Sequence, residues 1–453
     1  MGYGDDILWD KNEREHRLFI RKLRAAREDI VSFVNKAMGW SGDGSYQGWL
    51  KGSFNIGYII KRPEAINGDN SGARSAFMRF PIPGRTYSVW TGEKVKNEAM
   101  VLEYLREHTT IPVPRVYAWG PAEESPRKLG PFILMDFVEG MCLDGLLRKP
   151  TESEQEPLVL DPHIDQKKLQ VVYSQIADFL LQLSRLRFPY IGAISKDKDN
   201  DTWKVGDRPM TYDMNELVAE TGFPTDKLPS APFSSSSKYF RQRADEMWTH
   251  LYTQRNICET PQEARQKFTA RRRLRHLIAK HDCVEHQSFR LFGDDFGPFN
   301  MLADPETLKI TAVLDFEFTN AMPAQYTYDV PSWLLLAAPH TWLERNDKAG
   351  FEKRFVPQME LFLGEMDRCE ARNPSSGGEE KGMAARMRES WDSGRFWFNY
   401  AMRTSVDADA VYWKALVGGT RGEVADEEEM EEFIGAKMKQ FEEYEKERNG
   451  RDS

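Results

Sequence analysis

The stretch 291–318, LFGDDFGPFNMLADPETLKITAVLDFEF, sets Asp294, Asp295, Asn300 and Asp315 among apolar residues. An isolated carboxylate is costly to bury, so acids placed between apolar runs are usually paired, hydrogen-bonded or holding a metal. Asp295 and Asn300 stand five apart across FGPF, and Asp315 follows fifteen residues later, after FNMLA and the turn ADPET and within LKITAVLDFEF. Two strands joined by that turn would bring the three together. Phosphoryl transfer suits the set, because it asks a protein for one carboxylate to orient or deprotonate an attacking hydroxyl and for oxygen ligands that hold Mg²⁺ against phosphates. A plain hairpin with acidic turns is the competing reading.

Upstream residues supply the remaining parts in a consistent order. LKGSFNIGYII (50–60) gives strand, turn and strand, with Gly52, Ser53 and Gly57 small enough for backbone N–H groups and a hydroxyl to approach phosphate, although any β-turn looks similar. Arg79 lies in the strand SAFMRFP, where a cation would pair phosphates, and Glu98 lies on the next helix, VKNEAMVLEYL, where it would hold that cation. A surface ion pair of little weight is the alternative for those two.

In this order the residues resemble the aminoglycoside phosphotransferase and choline kinase-like superfamily, most closely its fungal phosphotransferase-domain proteins, over roughly residues 45–345. The resemblance implies an α+β, bilobal protein-kinase-like fold with a small β-rich N-terminal lobe and a large mainly helical C-terminal lobe. It implies Asp295 as the catalytic acid, Asn300 and Asp315 as Mg²⁺ ligands, and ATP or GTP as phosphate donor. GPFILMDFVEG resembles the linker whose backbone holds adenine, at Met135, Asp136 and Phe137. DFEF resembles the choline kinase metal motif, which leaves Glu317 either a metal or substrate contact or an exposed residue. Gly293 stands where the family has His, implying looser support of the loop, and Arg79 replaces a lysine, from which it differs by its planar fork. Those departures leave a catalytically inactive nucleotide-binding regulator as the alternative function. A protein kinase is disfavoured, since no Ala-Pro-Glu anchor follows Asp315.

Domain organisation follows the same pattern. We expect a helical extension over 1–45, a small nucleotide-binding lobe over 46–135, a helical lobe over 136–420 and a charged helix or tail over 421–453. KNEREHRLFIRKLRAAREDIVSFVNKAM (11–38) has the spacing of one amphipathic helix. Residues 190–237, rich in Pro, Gly, Asp and Ser, form an insertion that would shape the acceptor site. ARRRLRHLIAKH is basic but periodic, so a solvated helix face is expected, and the C-terminal ADEEEMEEFIGAKMKQFEEYEKERNG is expected to be solvent-exposed. Asp329 is expected to cap a helix beginning at VPSWLLL. Trp391, Asp392 and Trp397 are candidates for an acceptor wall suited to a cation.

A chain of 453 residues that is 40% hydrophobic can bury a large core, and its formal charge of −9 argues against generic binding to nucleic acid or anionic lipid. A small-molecule acceptor, cationic or neutral, fits better. Cys142, Cys258, Cys283 and Cys369 are scattered without metal-ligand spacing, the N-terminus lacks a leader pattern, and no apolar run spans a bilayer. The expectation is a cytoplasmic protein with no membrane or nucleic-acid partner and an open oligomeric state.

Overall fold

Strand alternation explains how the small lobe is layered. The computed structural model of the chain describes residues 4–63, 74–150, 158–197, 199–282, 288–374, 381–419 and 427–451. Strands β1 (Ser45–Lys51), β2 (Asn55–Lys61), β3 (Ser75–Pro81), β4 (Val116–Gly120) and β5 (Phe132–Asp136) make an antiparallel sheet ordered β1-β2-β3-β5-β4. Successive side chains of a strand face opposite ways. Ile56, Tyr58, Ile60, Met78, Phe80, Phe132 and Leu134 therefore share one core face, while Ile59, Phe77, Arg79 and Met135 face a cleft. Cys283 lies outside the described residues.

Two helices cover the core face, α1 (Asp6–Ala25) and α2 (Arg27–Met38), where the spacing predicted one. A straight helix over 28 residues would run about 42 Å, against about 23 Å for a seven-residue strand. Breaking at the fully buried Ala26 lets Phe19, Leu23, Ile30 and Val34 all pack on the same sheet. Helix α3 (Thr91–His108) crosses the opposite side.

The remainder is mainly helical around one large core, with the helix Gln166–Arg185 packed on Lys348–Arg372. Asp165 caps the first of these, and Ser235 caps Ser236–Thr253, as serine and aspartate side chains do at orphan N–H groups. The insertion is ordered: a hairpin of Ala193–Asp197 and Thr202–Asp207 precedes the helix Tyr212–Thr221. That helix bridges the lobes, with Asn215 bonded to Arg85 O and Tyr87 N, and Ala219 O accepting from Asn12 of α1.

The C-terminal helix Glu427–Arg451 departs from the solvent-exposed expectation. Met430, Phe433 and Ile434 pack against Leu251, Cys258 and Phe268, and the Tyr444 hydroxyl accepts from Asp6 N at 3.0 Å. Its acids also answer the basic run: Arg265 pairs with Glu427 and Glu431, and Arg272 with Glu429 at 2.6 Å. Asp329 caps no helix. Buried, it accepts from Ser390 Oγ at 2.5 Å and from Asn399 Nδ2 at 3.0 Å, tying two later helices together. Phe433→Ala should lower stability by about 3 kcal/mol, read as a lower urea midpoint; an unchanged midpoint would mean that the terminal helix contributes no core.

Candidate active site

Three polar side chains on one face of α3 organise the junction between the lobes. Lys94, Asn97 and Glu98 have the i, i+3, i+4 spacing of helix neighbours, and all are buried. Asn97 Nδ2 donates to the carbonyls of Glu317 (3.0 Å) and Thr319 (2.9 Å). Lys94 Nζ lies 2.9 Å from Glu317 Oε2. Glu98 pairs with Arg79 of β3, whose guanidinium also stands 3.6 Å from Asp315 and 3.7 Å from Glu317. Arg79 and Glu98 are 9% and 2% exposed, so the pair is internal and not a surface contact. Burial works against the Arg79 cation, but the charges of Glu98, Asp315 and Glu317 outweigh it and raise its pKa. The Asp315 carboxyl is pushed well up, by burial first and by the Glu317 charge second.

The segment 291–318 folds as two short strand pairs around a loop. Phe289–Phe292 pairs with Asn320–Met322, and Met301–Ala303 with Ile310–Val313. Asn300 Nδ2 donates to Asp295 O at 3.0 Å, and Leu314 N donates to Asn300 O at 2.8 Å. The three sequence-predicted residues are thus drawn into one loop system. Asp315 has φ +63°, a left-handed conformation that a non-glycine residue rarely adopts and that active sites often contain. Its Oδ1 is buried without a hydrogen-bond partner. Among the described residues no group of three His, Cys, Asp or Glu side chains forms a ready metal cage. Mg²⁺ takes few protein oxygens and completes its shell with water and phosphate, which a carboxylate oxygen on Asp315 without a hydrogen bond would suit.

The adjacent acids are divided in their partners. Asp294 pairs with Arg403 at 2.7 Å, and Arg403 lies over the rings of Phe292, Tyr326 and Tyr400. Among the described residues no ion pair engages Asp295, whose pKa rises to about 7 through burial first and then the charges of Asp294 and Glu317. The loop is not loosely supported at Gly293. A Cβ there would stand 2.4 Å from Thr319 Oγ1, so Thr319 fills the space of a side chain and the Asp294–Arg403 pair braces the loop.

A cleft of about 650 Å³ lies between the lobes, lined by Met135, Asp136 and Phe137 together with Phe77, Arg79, Glu98 and Asp315. The Asp136 carboxylate accepts from Arg115 N (2.9 Å) and Tyr117 Oη (2.5 Å). Gly52 and Ser53 sit exposed at the β1–β2 tip, outside that wall. Gly57 has a packing reason: a Cβ would meet Met78 O at 2.4 Å and the Phe77 ring at 2.7 Å. Trp391, Asp392 and Trp397 line a different cavity of about 430 Å³ with Lys280, His281 and Lys348, and no residue of 291–318 borders it. The insertion instead reaches the β1–β2 turn and the segment 291–318. Tyr212 packs edge-on against Phe54 and Phe318 (5.6 and 5.8 Å), and its hydroxyl pKa is raised by burial first, then by Glu216 and Asp295. Lys94, Asn55, Arg403 and Tyr212 escaped the sequence reading; for Lys94 alone a signal existed, its position one turn before Glu98.

A family model described as the phosphotransferase enzyme family matches residues 66–356, well over half of the chain. The chain belongs to that family. The match spans most of the small sheet-bearing lobe and much of the mainly helical remainder, an α+β, bilobal, kinase-like arrangement. Curated relatives include "Altered inheritance of mitochondria protein 9, mitochondrial" of Komagataella phaffii, 26% identical over 190 residues, which are 40% of this chain and 29% of that protein. Its namesake in Saccharomyces cerevisiae is 26% identical over 126 residues, 28% of this chain and 18% of that protein. "Subtelomeric hrmA-associated cluster protein" of Aspergillus fumigatus is 28% identical over 154 residues, 34% and 25% of the two chains. The chain thus spans less than a third of the length of these relatives. Among solved structures, an aminoglycoside-3'-phosphotransferase of type VIII aligns at 15% identity and TM-score 0.36, over 81% of this chain and 98% of that one. The cytoplasmic expectation is corrected: relatives matched over part of the chain are named as mitochondrial proteins.

The raised pKa of Asp295 sets a pH prediction. A carboxyl that binds its proton more tightly when folded lowers stability as pH rises from its unfolded value near 4 through about 7. Asp295→Asn removes that cost, so its melting temperature should exceed the native one by a few degrees at pH 8, on the order of 1 kcal/mol in stability, with the gain vanishing by pH 4. A gain independent of pH would show that Asp295 is not the titrating group.

Proposed function

We propose that this chain moves the γ-phosphate of ATP or GTP to a hydroxyl of a small-molecule acceptor, in a Mg²⁺-dependent reaction. The observation that carries the reading is the convergence of Asp295, Asn300 and Asp315 beside the cleft that Arg79 and the 135–137 linker line. Nucleotide base would lie against Met135, Asp136 and Phe137, and phosphates beneath Gly52, Ser53 and Gly57, facing Arg79 held by Glu98. Asn300 and Asp315 would hold Mg²⁺, which supplies charge neutralisation at the phosphate oxygens. Asp295 orients the acceptor hydroxyl and takes its proton while the new O–P bond forms and the bond to the bridging β–γ oxygen breaks. A pKa of about 7 suits that duty near neutral pH.

The acceptor's surroundings favour a cation. Glu216, Asp295 and Asp294 all act on Tyr212, and burial with the charges of Asp213, Glu220 and Asp407 pushes Glu216 itself up to about 9. A bound ammonium would relieve that mutual repulsion. The relatives' names favour a mitochondrial setting for the reaction. The rival reading, a nucleotide-binding regulator without turnover, draws on Gly293 in place of the family His, and the bracing of the loop by Arg403 weakens it.

Purified protein should gain thermal stability from ATP or GTP only with Mg²⁺, since a ligand that binds the folded state raises its stability, and Asp315→Ala should lose that gain. In a screen of amines, sugars and aminoglycosides as acceptors, Asp295→Asn should keep the shift but lose turnover roughly 10²- to 10⁴-fold. Turnover retained in Asp295→Asn would sink the catalytic assignment. A Mg²⁺-nucleotide shift with no phosphorylated acceptor would move the reading to the regulator.

A further inference from the structure

We infer that Lys94 is a positioning residue for phosphoryl transfer, joining the β1–β2 hairpin to the Asp315–Glu317 segment through Asn55 and Glu317. The inference rests on the phosphotransfer reading of the cleft. Lys94 is 1% exposed, and an ammonium has three protons to give. All three have takers: Glu317 Oε2 at 2.9 Å, Asn55 Oδ1 at 3.2 Å and Thr86 Oγ1 at 3.2 Å. Asn55 closes the triangle by donating from Nδ2 to Glu317 Oε2 at 2.6 Å. It is the first residue of β2, and its carbonyl accepts from Gly52 N at 2.8 Å, which shuts the turn over Ser53. One buried cation therefore connects the hairpin tip with the segment that carries Asp315.

Aromatic contacts follow the same line. Phe54, at the tip, packs edge-on against Phe318 and Tyr212, each at 5.6 Å, and the Lys94 ammonium lies 5.3 Å from the Phe54 ring and 5.6 Å from that of Phe318. The arrangement also separates the duties of two acids. Asp315 borders the cleft, whereas Glu317 does not border it and gives Oε2 to Lys94 and Asn55. With Lys94 in place, Glu317 is held inside as an anchor, and Asp315 is left to face the phosphates.

A merely structural ion pair would behave differently, because replacing both members of a buried pair by neutral groups is often harmless to stability while removing one is not. The test compares the native protein with Lys94→Met and with Lys94→Met/Glu317→Gln. Melting temperature, hydrogen exchange at 52–55 and 315–318, and calorimetric Kd for Mg-ATP and Mg-GTP are measured for each. The single variant should melt lower and the double variant should recover. Both should exchange faster at the two segments, and the double variant should still bind nucleotide roughly tenfold more weakly, a 1.4 kcal/mol difference. A double variant with native exchange and native Kd would overturn the inference, since neutralising Glu317 would then be all that Lys94 does. If the native protein binds neither nucleotide, the phosphotransfer reading fails and Lys94 loses its positioning role with it. Unchanged exchange at 52–55 in a protein that does bind would instead overturn the inference alone.

Discussion

Five charged groups that meet at the junction of the lobes, four of them buried, fix the geometry on which everything else depends. Arg79 comes from β3, Lys94 and Glu98 from α3, and Asp315 and Glu317 from the segment after the second strand pair. None of these groups could be taken from water alone, because the desolvation cost of an unpaired ion exceeds what a folded domain has to spare. The strand, the helix and the segment must therefore arrive together. The Asp315 oxygen that lacks a hydrogen bond is met by Arg79 at 3.6 Å, and the set carries an excess of one acid over base. A cation held against phosphate would balance it without any change of fold.

The insertion and the terminal helices hold that junction from outside. The hairpin and helix of 193–221 reach the small lobe through the Arg208–Glu93 pair at 2.8 Å, Lys96–Asp207 at 2.7 Å and the Asn215 bonds to 85–87. Helix α1 is tied to the same inserted helix, and the C-terminal helix returns to α1 through Tyr444. In a two-lobed protein the relative position of the lobes is otherwise set by a short linker, which tolerates hinge motion. Here the chain adds bonds on the far side of the cleft from the linker, so closure over a ligand must deform more than the linker.

Much of this was legible in the sequence because spacing along strands and loops is local. The five-residue step from Asp295 to Asn300 and the strand pair before Asp315 show in the linear order, as did the alternation that sends Arg79 to the cleft face. Lys94 was hidden because a lysine in a charged helix looks solvated until it is known that α3 is covered on nearly every side. The C-terminal helix was hidden for the converse reason: Met430, Phe433 and Ile434 form a narrow seam among many acids, and the partner of those acids, the basic helix Pro261–His281, lies far away in sequence. Asp329 was misplaced because its partners Ser390 and Asn399 arrive from 61 and 70 residues downstream. Local pattern gives element type and order; pairings across long separations belong to the packed chain.

The neighbouring acids Asp294 and Asp295 show how packing gives one dipeptide two environments. Asp294 and Asp295 are chemically identical and adjacent, so sequence alone assigns them only by analogy. Arg403, stacked among three aromatic rings, takes Asp294 and makes it a brace for a loop whose residue 293 has no room for a side chain. That pairing leaves a negative charge fixed next to Asp295, which has no ion-pair partner of its own among the described residues, and burial with that charge lifts its pKa to about 7. Environments that separate the properties of like groups are how acid–base roles become distinct. The contact that holds Asp294 thus also leaves its charge beside Asp295, where with burial it raises that carboxyl's pKa.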